Sequence, residues 1–203
     1  MLQSALERFG ELLHTRLEKG VFTTEDAVRY TFFAALLQSG SFHPHEVIPE
    51  FRHPAIAGAQ IDTWIPSFDG RGLAVEFKYD RDIPSGRNAP RTHKAGKIFH
   101  DLYRLGEIGS EIHRVFVYLA GPEMSQYFTN AANRLTAFFA LPRGHSLIVD
   151  SAFVAGRSPT FTAALGATPN IAVSALYSRS LPRSHEVRVY EVFRADQLGQ
   201  PAG

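Results

Sequence analysis

The spacing of apolar residues predicts two helices at the start of the chain. Apolar side chains recur at helical intervals at Leu2, Leu6, Phe9, Leu13 and Leu17, which predicts a helix over residues 2–19 that is ended by Gly20. Thr23, with Asp26 three residues later, is typical of a capping-box start. The stretch that follows, AVRYTFFAALLQSG, is apolar almost all round, so we expect a well-buried second helix that stops near Gly40.

A series of strands is predicted next. Residues 46–51 predict a first strand, which Pro49 confines to the edge of a sheet. Two further strands are predicted at 60–66 and 72–79, and the Asp69-Gly70 pair between them is a turn signal. We therefore expect these two strands to form a hairpin.

The second half of the chain alternates between helices and strands. A helix is predicted over 91–107, with an apolar stripe of Ile98, Leu102 and Leu105. The segment HRVFVYLAG is typical of a buried strand, and PEMSQYFTNAANRLTAFFA predicts a helix with proline in its first turn. Three more strands are predicted at 146–150, 171–177 and 186–193. This order predicts an α/β fold in which helices flank a mixed central sheet.

Composition narrows the class of protein. The 203 residues are 44% hydrophobic and 20% charged, which is ordinary for a single globular domain over residues 1–203. The formal net charge of +1 argues neither for nor against a nucleic-acid partner. The absence of cysteine excludes disulfides, zinc–thiolate sites and iron–sulfur clusters. The N-terminus does not resemble a signal peptide, and no apolar run is long enough to span a bilayer, so we expect a cytoplasmic protein.

Two acidic residues and a lysine stand out around the predicted hairpin. Asp62 closes one apolar run, and Glu76 lies two residues before Lys78 in the next run, LAVEFKY. Side chains two apart on a strand point to the same face, so Glu76 and Lys78 emerge together. The hairpin would bring Asp62 beside Glu76. Two carboxylates and a lysine at one place are suited to a hard cation and a phosphate.

These residues resemble the motif of the PD-(D/E)XK nuclease superfamily, which has the restriction-endonuclease-like fold. The motif is Ile61-Asp62 followed by Glu76-Phe77-Lys78, with isoleucine rather than proline before the aspartate. The resemblance covers about residues 22–120, and we expect residues 121–203 to be a C-terminal elaboration. It implies a Mg²⁺-dependent endonuclease, with Mn²⁺ as a substitute, that hydrolyses phosphodiester bonds, in DNA more than in RNA.

The resemblance also implies roles for individual residues. Asp62, Glu76 and the backbone carbonyl of Phe77 would bind the metal, and Lys78 would hold the attacking water or stabilise charge on the phosphate. Glu25 would be an acid on the first core helix. An acid on an upstream strand, Glu50, would be a further candidate.

Each of these residues also has a plain structural explanation. Acids in a first helical turn are favoured by the helix dipole, which accounts for Glu25 and equally for Asp26. Glu50 would be a surface residue of an edge strand. Glu76 and Lys78 would lie on a solvated strand face that carries a cross-strand ion pair.

A basic segment follows the proposed metal ligands. Its candidate nucleic-acid-binding residues are Arg87, Arg91, Lys94 and Lys97. Such a patch can neutralise phosphates in a chain of low net charge, but a solvated helix explains it equally well, and Lys97 and Asp101 would then pair four residues apart. By analogy with the superfamily, we expect a homodimer.

Two other classes of function stay open. One is a catalytically inactive nucleic-acid-binding module of the same fold, and the other is an unrelated α/β protein with acids and lysine on its surface. The sequence contains no Walker loop, no GxSxG and no HExxH, which disfavours a nucleotide-driven motor, an α/β-hydrolase and a zinc protease.

Overall fold

A mixed sheet organises the described part of the chain, which in this computed structural model comprises residues 1–40, 43–81 and 88–197. Its strands are β1 Ile48–Arg52, β2 Gln60–Phe68, β3 Arg71–Asp80, β4 Ile112–Ala120, β5 Ser146–Val149, β6 Ile171–Leu181 and β7 His185–Arg194. Their order across the sheet is β1-β2-β3-β4-β7-β6-β5. The β3–β4 pair is parallel and the other pairs are antiparallel. The prediction of an α/β fold with a mixed sheet is confirmed.

Helices cover the sheet. They are α1 Leu2–Glu18, α2 Glu25–Ser39, α3 Arg91–Gly106, α4 Pro122–Thr129, α5 Thr136–Phe139, α6 Ser151–Val154 and α7 Pro159–Leu165. Three-residue 3₁₀ helices lie at Pro44–Glu46, Ala131–Asn133 and Ala195–Gln197. No helix in the described ranges is long and apolar enough to cross a membrane.

The alternation of side chains along β3 separates two apolar clusters, one on each face of the sheet. On one face, Val75 and Phe77 pack with α1 and α2, and the rings of Phe32 and Phe77 meet edge to face at 5.4 Å. On the other face, Ala74 packs with α3 through the predicted stripe of Ile98, Leu102 and Leu105. Glu76 shares that second face, so a carboxyl group lies beneath a packed helix.

The N-terminal helices differ from the prediction in two details. The cap of α2 is Thr24 rather than Thr23, because the Thr24 hydroxyl accepts from the N–H of Ala27 at 3.1 Å. Thr23 is instead buried and donates to the carbonyl of Val21. The prediction that α2 is well buried is confirmed on one side of the helix only, since Val28, Phe32, Ala35 and Leu36 are buried while Tyr30 is 66% exposed.

The predicted helix over residues 122–140 is in fact divided. The α4 helix ends at Thr129, where the Asn130 side chain accepts from the N–H of Ala132 and starts a 3₁₀ turn. Arg134 then takes a left-handed φ of +55°, which interrupts the helical path before α5. The short helices α6 and α7 were not predicted, because four to seven residues carry too little periodicity.

Candidate functional site

The β2–β3 hairpin places Asp62 beside Glu76. Asp69 and Gly70 have φ of +51° and +81°, as the two central residues of a type I′ hairpin turn require. The strands pair Thr63 with Val75 and Trp64 with Ala74, and one further step in this register sets Asp62 opposite Glu76. The backbone N–H of Phe77 donates to Asp62 Oδ2 at 2.8 Å, which fixes the aspartate against β3.

Glu76 is a buried acid beside another acid. Its side chain lies opposite that of Asp62 in the hairpin register, and only 5% of the residue is exposed. Burial, followed by the negative charge of Asp62, raises the pKa of Glu76 to about 9. Arg104 on α3, whose Nη2 lies 3.0 Å from Glu76 Oε1, lowers this pKa without offsetting the other effects. With no further cation, Glu76 is therefore mainly protonated at neutral pH.

A second arginine, Arg29 on α2, holds Asp62. Its Nη2 lies 2.8 Å from Asp62 Oδ1, and its Nη1 lies 2.8 Å from Glu50 Oε1 on β1. Burial disfavours the charge of Arg29, but Asp62 and Glu50 outweigh this and raise its pKa. Glu50 is thus joined to the candidate site through Arg29, while its own backbone takes a left-handed φ of +52°.

Lys78 lies between two acids. Its Nζ is 3.7 Å from Glu25 Oε2, and the same oxygen accepts from the N–H of Tyr79 at 3.0 Å. Burial disfavours the charge of Lys78, but Glu25 and then Asp101 on α3 outweigh it and raise its pKa. Burial also raises the pKa of Glu25, despite the opposing effect of Lys78. The structure therefore places Glu25 at the site, while Asp26 is largely exposed and lies 3.9 Å from Arg29.

The α3 helix contributes Asp101 and Arg104 to this group. Arg104 Nη1 lies 3.4 Å from Asp101 Oδ1, and Arg104 Nη2 also donates to the carbonyl of Gln60. His53 anchors this part of α3, because its Nδ1 accepts from Ala55 and its Nε2 lies 2.9 Å from the carbonyl of Arg104. Burial raises the pKa of Asp101, although Lys78 and Arg104 oppose that rise.

The predicted basic residues that the structure describes do not contact Asp62, Glu76 or Lys78. Arg91 forms an ion pair with Glu123 on α4, and Lys94 Nζ donates to the carbonyl of Arg81 at 3.4 Å. Lys97 is exposed, and its suggested partner Asp101 contacts Arg104 instead. Arg87 lies outside the described residues. The α3 side chains at the candidate site are therefore Asp101 and Arg104, one to two turns beyond Lys97.

The sequence gives only a partial signal for two site residues. Arg29 lies four residues after Glu25 on a predicted helix, and Arg104 lies seven residues after Lys97, so each shares a helical face with a candidate residue. The missing information was which face of each helix turns toward the hairpin.

The site opens to solvent through a cleft of ≈ 540 Å³. Its lining includes Asp62, Glu76 and Arg104, together with Glu50, His100 and Tyr103. Acidic oxygens of the site are therefore reachable from outside although Glu76 itself is buried.

The carboxylates of Asp62 and Glu76 are oxygen donors of the type that Mg²⁺ binds. Within residues 1–40, 43–81 and 88–197, no group of three or more His, Asp or Glu side chains is arranged to hold a metal ion. The donors would therefore be the two carboxylates of Asp62 and Glu76 and the carbonyl of Phe77, and Mg²⁺ needs only one or two carboxylates. The pKa of Glu76 is raised first by burial and then by the charge of Asp62, and a bound cation would lower it.

Comparison with known proteins identifies no relative of this chain. The chain matches no family model. It also matches no curated protein sequence and no solved structure.

Proposed function

We propose that the protein is a metal-dependent nuclease with a restriction-endonuclease-like core, which hydrolyses phosphodiester bonds in DNA in preference to RNA. The observation that carries the proposal is the placement of Asp62 and Glu76 opposite each other across the hairpin and on one cleft, with Lys78 two residues further along the same strand. The hairpin and an upstream helix that contributes Glu25 are elements that the resemblance implies. The downstream helix adds Arg104, which was not among the predicted residues.

Lys78 and Glu25 have different roles in the proposed hydrolysis. In hydrolysis a water oxygen bonds to phosphorus while the ester oxygen departs, so the water loses one proton and the leaving oxygen gains one. Lys78 keeps its proton at neutral pH because its acidic neighbours raise its pKa, which supports stabilisation of charge on the phosphate rather than proton acceptance. Glu25 holds the lysine in place. A bound divalent cation supplies charge neutralisation and lowers the pKa of water.

The proposal is tested by incubation of the protein with plasmid DNA, linear DNA and RNA, with Mg²⁺, Mn²⁺ or chelator. Cleavage in Mg²⁺ that chelator and Glu76→Gln both abolish is the expected result. A purified, folded protein that cleaves none of these substrates with either metal would refute it.

A second candidate is a nucleic-acid-binding module of the same fold that does not cleave. The observation in its favour is that both carboxylates already have arginine partners, Arg29 on Asp62 and Arg104 on Glu76. These guanidinium groups provide part of the positive charge that a cation would otherwise supply. Metal titration by calorimetry separates the two candidates, because the module would bind DNA without taking up metal.

A further inference from the structure

A cavity of ≈ 300 Å³ lies apart from the candidate site, between the start of α3, the turn after α4 and the segment that enters α7. Polar side chains dominate its lining: Thr92, Tyr127, Asn133, Arg134, Arg157 and Ser158. None of the described residues that line it is Asp or Glu. Thr92 and Asp101 are nine residues apart on α3, or roughly 13 Å along a helix axis, so this cavity is distinct from the candidate site.

The two arginines of this cavity each reach toward the other's segment. Arg157 Nη1 donates to the carbonyl of Asn133 at 2.9 Å, and its guanidinium lies over the Phe153 ring at 4.6 Å. A Cβ added to Gly156 would be 3.2 Å from Arg134 Nη1, so the Arg134 guanidinium lies beside the backbone of the residue before Arg157. Two positive charges therefore converge on one cavity.

This arrangement lacks a negative charge. Burial lowers the pKa of Arg157, and the charge of Arg134 lowers it further. An anion between the two guanidinium groups would relieve their repulsion and accept hydrogen bonds from their terminal N–H groups.

Phosphate is the anion that best matches these donors. Guanidinium groups bind phosphate oxygens in pairs of parallel hydrogen bonds, and the hydroxyls of Thr92 and Ser158 are further donors at the same cavity. A phosphate group fills only part of the cavity, which leaves space for an attached sugar. We propose that Arg134 and Arg157 bind the phosphate group of a nucleotide here, either free or at the end of a nucleic-acid strand. This site does not depend on hydrolysis at the Asp62–Glu76 pair.

Calorimetry without divalent metal tests the proposal, with inorganic phosphate, deoxyadenosine monophosphate and deoxyadenosine as probes. A phosphorylated and an unphosphorylated oligonucleotide of one sequence distinguish a strand end from a free nucleotide. We expect the phosphate-bearing probes to bind and their counterparts to bind more weakly or not at all. Arg134→Gln should weaken this binding about tenfold or more, because hydrogen bonds to charged groups contribute about 1.5–3 kcal/mol.

Two further variants control for misfolding and for the general loss of one positive charge. Arg157→Lys retains a positive charge if Arg157→Gln does not fold, since Arg157 also holds Asn133, and it should weaken binding as well. Arg194→Gln removes the same charge from an exposed side chain that pairs with Asp196, and its binding should be unchanged. If none of the phosphate-bearing probes shows binding that depends on Arg134, the proposal is wrong.

Discussion

Asp62 and Glu76 lie opposite each other across the β2–β3 hairpin, and both line an open cleft. Burial of Glu76 and the negative charge of Asp62 raise the pKa of Glu76 to about 9, so Glu76 carries a proton at neutral pH. This single proton connects metal binding, stability and activity, and it makes each of them dependent on pH.

Metal binding is expected to release a proton. Since the pKa of Glu76 is about 9, Mg²⁺ must displace about one proton at pH 7, and its affinity should rise with pH toward that value. Calorimetry in buffers of different ionisation enthalpy measures the number released. Glu76→Gln should release none and bind metal weakly. An affinity that does not change between pH 6 and pH 8.5 would separate Glu76 from the metal site.

Stability without metal is expected to fall as pH rises. The pKa of Glu76 is raised from 4.5 to about 9 on folding, so the contribution of its proton is complete below pH 4.5 and is lost progressively up to about pH 9. Glu76→Gln mimics the protonated group and should be more stable than the wild type at pH 8, by at least about 1 kcal/mol, because one pKa unit corresponds to about 1.4 kcal/mol. Denaturant unfolding at pH 5 and pH 8 measures this. Equal pH dependence in both proteins would contradict the assignment of the proton.

Lys78 is expected to be needed for cleavage but not for DNA binding. Lys78→Gln should lower the cleavage rate about a hundredfold or more, within the range for groups that act on the transition state. Binding of labelled DNA, with Ca²⁺ in place of Mg²⁺ to suppress cleavage, should change little. Lys19→Gln, which alters an exposed lysine at the end of α1, is the matched control for cleavage. Full activity in a folded Lys78→Gln protein would remove Lys78 from the mechanism.

The arginine that pairs with Asp62 allows a metal-dependent active site to be distinguished from a site that binds no metal. Arg29→Gln deprives Asp62 of a partner at 2.8 Å, and it should lower the stability without metal by about 1–3 kcal/mol, as expected when a hydrogen bond to a charged group is removed. Mg²⁺ should restore more stability to this variant than to the wild type, because the freed carboxylate gains from a cation. Thermal unfolding with and without Mg²⁺ measures both effects. If Mg²⁺ stabilises neither protein, the non-cleaving module is favoured.

The hairpin could be predicted because the Asp69-Gly70 turn and the alternation of side chains along β3 are local features. Its register could not be read from the turn alone. An irregularity between Ile65 and Phe68 shifts the pairing by one residue, which sets Asp62 opposite Glu76 rather than Phe77. Arg29 and Arg104 could not be assigned, because their contacts depend on how α2 and α3 pack on the sheet, which their own sequences leave open. The division of the 122–140 helix depends on the Asn130 side chain, whose preference for a turn competes with the apolar pattern around it.

The basic side of α3 supports a last prediction, which concerns salt. Lys94 and Lys97 precede Asp101 and Arg104 on the same helical face, so a strand that enters the cleft would pass over them. Lys94→Gln with Lys97→Gln should weaken DNA binding and reduce the slope of log affinity against log salt by about one for each phosphate that the variant no longer neutralises. Binding to labelled DNA in Ca²⁺ at several salt concentrations measures this slope.

The control variant Arg194→Gln, on β7, should leave this salt slope unchanged. Metal affinity should be the same in all three proteins, because none of these residues is a proposed ligand. An unaltered slope in the double variant would mean that these lysines belong to a solvated face and that the strand follows another path to Glu76.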